Sequence, residues 1–110
     1  MTVRELCAAD ELKLPPIVRS DGDRQVRNGY AGDLLSWVMG RALSGEAWVT
    51  IMSNSNIVAV ASLTDVACVI LSEGVQPDEG VADTAGQRGV NLLSSPLSTF
   101  ELCKKLGGFV

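Results

Sequence analysis

Residues 29–63, GYAGDLLSWVMGRALSGEAWVTIMSNSNIVAVASL, decide how the chain reads. They hold both tryptophans, the only tyrosine, one wide apolar helix face and one element that is apolar all round. The run AWVTI from Ala47 is continuously apolar, without the alternation of a half-buried strand. That pattern fits a strand covered on both faces, as in a parallel sheet. Two similar runs follow, CVILS from Cys68 and VNLLSS from Val90. Each gap between them is long enough for a short crossover helix, which predicts right-handed βα repeats. The expected fold class is therefore α/β, a small mostly parallel sheet with short crossover helices.

Helix punctuation supports this rhythm. Asp33 is expected to cap a helix from Leu34 to about Leu43, which Ser44-Gly45 ends. Pro77-Asp78-Glu79 places a proline and two acids at a helix start, with Gly89 as its stop. Ser98 with Glu101 forms a capping box for a last helix, closing at Gly107-Gly108. At the other end TVRELCAADEL reads as a short helix, with Leu6 and Ala9 inward, which Pro15-Pro16 forbids from continuing. Residues 17–27 are expected to give an edge strand, a turn at Asp21-Gly22-Asp23, and a strand through Val26. The run IVAVASL is ambiguous. Its β-branched residues allow a strand paired with AWVTI; the βα rhythm and a cap at Ser55 or Asn56 favour a helix.

Composition narrows the function classes. At 110 residues the chain fits one domain, spanning 1–110, and buries roughly 65% of its unfolded surface. It is 46% hydrophobic and 20% charged, hence globular. A net charge of −4, with only 9 basic residues, offers no footprint for nucleic acid or an anionic membrane. Nothing approaches the ~20 apolar residues of a membrane span, and MTVRELCAADELK is not a secretory leader. Cys7, Cys68 and Cys103 are odd in number and widely spaced, which suits small buried hydrophobes in a reducing cytoplasm.

The apolar excess predicts company. Leu34, Leu35, Val38, Met39 and Ala42 form a core-facing arc, which Trp37 widens to about 200°. A helix over 57–63 would need cover on every side. A homodimer is expected to supply it, with Trp37, Arg41, Ile57, Val58, Val60 and Ala61 at the interface.

Ligands of open α/β sheets sit beyond the carboxyl ends of the strands. Those ends carry Ser53, Asn54 and Asn56 after the first run, Ser72 and Gly74 after the second, and Ser94 and Ser95 after the third. With Asp33 they form the candidate site for a small anion or nucleotide at helix starts. Capping and turn chemistry explain the same residues without a ligand. No glycine-rich phosphate loop is present. The chain has no histidine, so the commonest general base and most zinc sites are gone; no metal, cofactor or catalytic residue is expected.

The same residues carry a family likeness. The run Asp23-Arg24-x-Val26-x-x-Gly29-Tyr30-x-x-Asp33-Leu34-Leu35-Ser36-x-Val38-Met39, then Trp48-Val49-Thr50-Ile51 and Asn56-Ile57-Val58-Ala59-Val60-Ala61, resembles the DRTGG domain. The likeness continues through Val69-Ile70-Leu71-x-x-Gly74-x-x-Pro77, Leu92-Leu93-Ser94-Ser95-Pro96 and Phe100-Glu101. It implies a fold similar to the N-terminal domain of HPr kinase, in a family that occurs alone or as an accessory to some phosphotransacetylases and CBS-bearing pyrophosphatases. It further implies a regulatory or dimer-forming module without catalysis, partnered by itself, another protein or a small anionic ligand. The family-naming string is degenerate, its nearest form being Asp23-Arg24-Gln25-Val26-Arg27-Asn28-Gly29, with Asn28 beside a single glycine.

Overall fold

A computed structural model of residues 1–110 shows five strands in one sheet, ordered β1-β5-β4-β3-β2. The strands are β1 (Pro16–Val18), β2 (Gly29–Ala31), β3 (Ala47–Thr50), β4 (Cys68–Leu71) and β5 (Leu92–Ser94). β2, β3, β4 and β5 run parallel; β1 is antiparallel to β5, with an irregular register between Pro16 and Val18. The three apolar runs are thus the three central strands. Their continuity reflects cover on both sides. Ala47, Val49, Cys68, Ile70 and Leu93 face one buried layer, while Trp48, Val69, Leu71 and Leu92 face the other.

Helices complete three layers. α2 (Leu35–Arg41), α3 (Asn56–Thr64) and α4 (Val81–Arg88) are the crossovers and lie together on one face. α1 (Val3–Ala8), a 3-10 turn at Asp10–Leu12, and α5 (Thr99–Leu106) cover the other. The ambiguous IVAVASL is a helix. Ser55 holds the cap position without a side-chain bond; instead Asn54 Oδ1 accepts from the Asn56 amide at 3.0 Å. Ser98 caps α5 by accepting from the Glu101 amide, and Gly89 ends α4 at φ 70°. α1 opens on a full capping box between Thr2 and Glu5. After the turn at residues 21–23 the chain forms only one bridge, Thr2 to Gln25, where a strand through Val26 was expected.

Several expectations about apolar faces are corrected. Asp33 does not cap α2. Its Oδ1 accepts from Thr50 Oγ1 (2.7 Å) and the Ile51 amide (2.9 Å), which ties the β2–α2 turn to the end of β3. Leu34 and Met39 belong outside: they are exposed, while Val38 and Ala42 are buried and Leu35 half-buried. Ile57, Val58, Val60 and Ala61 are buried within the chain, because α3 sits on the sheet between α2 and α4. They offer no surface to a second copy. The outward side of α3 carries Ala59, Ser62 and Leu63.

Candidate functional site

At the carboxyl ends of the parallel strands the predicted residues separate into two groups. Asp33, Ser53, Asn54 and Asn56 line the turns after β2 and β3. Ser53 Oγ donates to Asp78 Oδ1 at 2.9 Å, and the Asp78 amide donates to the Ser53 carbonyl at 2.9 Å. This closes the turn before α4 onto the turn before α3. The second group gathers Ser72, Gly74 and Ser95 around the start of α5. Ser72 Oγ is 2.6 Å from Thr99 Oγ1, and the Gly74 amide donates to the Ser95 carbonyl at 2.9 Å. Ser95 Oγ donates to the Leu12 carbonyl at 3.0 Å and accepts from the Leu97 amide at 3.2 Å. Ser94 is buried within β5, where its amide donates to the Pro15 carbonyl. The hydroxyls of Ser53, Ser72 and Ser95 therefore already hold the protein together.

Concave surface lies elsewhere. A cleft of about 310 Å³ runs between residues 28–31 with Val49 on the sheet side and Cys103, Leu106, Gly107 and Val110 on the other. It carries no charged side chain. α5 lies over β3 and leaves the adjoining face of edge strand β2 open. An added Cβ at Gly29 would be crowded, standing 3.3 Å from the Ala47 carbonyl oxygen and 3.7 Å from Leu106. Asn28 takes the left-handed conformation at φ 65°, which asparagine tolerates better than most residues. A second, shallower hollow of about 500 Å³ lies at the amino ends, among Arg27, Asn28, Leu43, Ser44 and Glu46.

The degenerate motif has a structural task that residue patterns did not reveal. Arg24 donates to Asp65 Oδ1 (3.1 Å) and to the Asp65 carbonyl (2.8 Å), and Ser44 Oγ donates to Asp65 Oδ2 (2.5 Å). Asp65 ends α3 at φ 59°, so this clasp fixes the α3–β4 turn against the segment before β2. The Arg24 guanidinium, then the Ser44 hydroxyl, hold the Asp65 carboxyl below the usual carboxylate range. Asp23 pairs with Arg4 of α1. Asn91, buried, binds both backbone groups of Asp21 and the Ala67 carbonyl.

The outer face of α2 is the other notable surface. Trp37 is 53% exposed, with Leu34 exposed on the same flank; Met39, two positions on, is exposed on the opposite flank, and Leu43 lies beyond the helix. The Arg41 guanidinium carbon lies 3.9 Å from the Trp37 ring centroid. The thiols are ill suited to nucleophilic work: burial pushes Cys68 up to about 12 and also raises Cys7 and Cys103. No group of three or more His, Cys, Asp or Glu side chains is placed to hold a metal.

The sequence profile of the DRTGG domain matches residues 34–109. No curated protein matches the chain. Among solved structures, the fold is similar to the CBS and DRTGG domains of the regulatory region of Clostridium perfringens pyrophosphatase, which was complexed with its activator, diadenosine tetraphosphate. The TM-score is 0.66 at 13% identity, over 86% of this chain and 42% of that one. A likeness at that identity shows a shared fold, and this chain spans less than half the neighbour's length.

Proposed function

The chain belongs to the DRTGG domain family, and from that premise we propose that it is a non-enzymatic regulatory or scaffold module acting as a homodimer. Residues 1–110 form a single DRTGG-like unit in this reading, working in the cytoplasm, where three unbridged cysteines are at home. No helix is long and apolar enough to cross a membrane. The observation that carries the reading is the outer face of α2. Trp37 and Leu34 stay exposed on one flank of the helix, beside Arg41, although Val38 and Ala42 are buried. Large apolar side chains grouped on one element mark an interaction surface. Trp37 and Arg41 form its centre. The raised thiols and the committed hydroxyls support a role without catalysis. Light scattering of the wild-type chain tests assembly; a monomer at tens of micromolar removes the homodimer.

A second reading, sensing of a nucleotide or small anionic ligand, is supported by the activator bound to the structurally similar regulatory region. A partner protein on the α2 face is compatible with it. Thermal stability measured across nucleotides and phosphorylated metabolites tests it. A ligand at 100-fold its dissociation constant adds ~2.7 kcal/mol; no stabilisation by any compound removes the sensing role.

A further inference from the structure

We infer that the cleft beside β2 is a site for a flat, neutral heteroaromatic base of the adenine type. This inference rests on the sensing reading and gives that role a site other than the strand ends.

The argument begins with the edge of the sheet. Parallel pairing makes alternate residues of a strand turn both backbone groups toward the same side. The Ala47 amide donates to the Asn28 carbonyl and the Gly32 amide to the Val49 carbonyl, each at 3.1 Å, with Tyr30 paired to Trp48 between them. Gly29 and Ala31 therefore turn their N–H and C=O groups away from β3, and no hydrogen bond within the chain uses them. The Gly29 carbonyl and the Ala31 amide form an acceptor and a donor side by side on one straight edge. Adenine presents the complement along its own edge: an exocyclic N–H donor beside a ring-nitrogen acceptor.

The surroundings suit such a base. Gly29 and Ala31 line the cleft at its β2 side, and its other walls include Val49, Cys103, Leu106 and Val110. At about 310 Å³ it stands at the small end of ligand sites, room for one base with its sugar and phosphates outside. With no charged side chain in its lining, the cleft favours a neutral ring over a phosphate. Only two residues of β2 turn outward, a short edge for an added peptide strand but sufficient for a two-point contact with a ring.

The test is a titration of the 15N-labelled chain with adenosine, followed through its backbone amide spectrum. The expected result is saturable movement of the Gly29, Ala31, Leu106 and Gly107 amides, with inosine, whose donor and acceptor are exchanged, binding roughly tenfold or more weakly. Ala31→Pro removes only an outward N–H, a change edge strands accept, and is expected to weaken adenosine about tenfold. Cys103→Phe fills the cleft without touching the edge and is expected to abolish binding. Movement confined to Ser53, Asn54 and Gly74 would overturn the cleft while leaving ligand sensing intact. Silence with adenosine alongside stabilisation by inorganic phosphate would do the same; silence with every compound sinks both. Concentration-dependent movement of Gly29 and Ala31 without ligand would assign the edge to a second copy and overturn the proposal.

Discussion

Replacing Trp37 by aspartate separates the roles of the two tryptophans. A tryptophan side chain presents up to about 250 Å², so 53% exposure leaves ~130 Å² for a partner to cover. At ~25 cal/mol per Å² that surface is worth ~3 kcal/mol per copy, and twice that across a twofold interface. Docking and side-chain ordering consume part of the gain, so a loss of at least ~3 kcal/mol, or two decades in dissociation constant, is expected. The monomer also loses the part of the side chain it already covers, up to ~3 kcal/mol by the same measure, which the urea melts read separately. The one polar contact of the Trp37 side chain is its stacking with Arg41, worth ~0.5–1 kcal/mol. An acid in the first turn of α2 is favourable with the helix dipole. Sedimentation equilibrium of both proteins, with urea melts as the control for folding, measures the two effects. A wild-type dimer whose affinity Trp37→Asp leaves unchanged would refute the placement of the interface on α2.

Trp48 is the opposite case: it is fully buried and its indole N–H donates to the Gly32 carbonyl at 2.9 Å. Trp48→Phe should cost ~1–3 kcal/mol by leaving that carbonyl without its donor, read as a lower urea midpoint. Thr50→Val removes the hydroxyl that donates to Asp33 and accepts from the Met52 amide; a loss of ~1–2 kcal/mol is expected, largely absent when Asp33 is already alanine in a double-mutant cycle. Because Arg24 depresses the folded-state pKa of Asp65, its stabilisation is present above the unfolded value and is lost as pH falls through the folded one. Asp65→Asn should accordingly be less stable than wild type at pH 7, by under ~1 kcal/mol for so exposed a pair, with the gap closing toward pH 2. Thiol titration with a disulfide reagent at pH 8 should leave Cys68 unmodified until the chain unfolds, since burial holds its thiol up to about 12.

The central strands and crossover helices were legible because their signals are local: an unbroken apolar run, a glycine stop, a serine three residues before a glutamate. What escaped depends on partners distant in sequence. Asp33 looks like a helix cap until Thr50 arrives beside it. Gly29-Tyr30-Ala31 is too short, and too rich in small residues, to announce a strand; the neighbouring β3 makes it one. Composition marked 57–63 as needing cover on every side; α2, α4 and the sheet cover Ile57, Val58, Val60 and Ala61 within the same chain, and Leu63 stays exposed. The serines near the strand ends read only as small polar residues, and Ser94 lies within β5 itself. The hydroxyls of Ser72, Ser53 and Ser95 prove to be bound to Thr99, Asp78 and Leu12, which no spacing rule foretells. The cleft joins residue 29 to residue 110, so no window of sequence contains it.

The N-terminal strap has a consequence for how the protein is made. Asp21 is held by Asn91, Leu12 by Ser95, and Pro16 pairs with Leu93. Val3, Leu6, Leu12 and Leu14 share their buried layer with Leu93, Leu102 and Leu106. On a ribosome these residues emerge well before Asn91, Leu93, Ser95, Leu102 and Leu106, against which they are held. At about 5–20 residues per second, the 70-residue separation between Asp21 and Asn91 is a wait of roughly 4 to 14 s. During it the β2–β5 units can pair successively with neighbours just synthesised, while the strap's contacts with β5 and α5 are still unmade. Docking of the strap on β5 and α5 is then a late step of assembly, and slowed translation before residue 91 lengthens the interval in which its apolar side chains lack that cover.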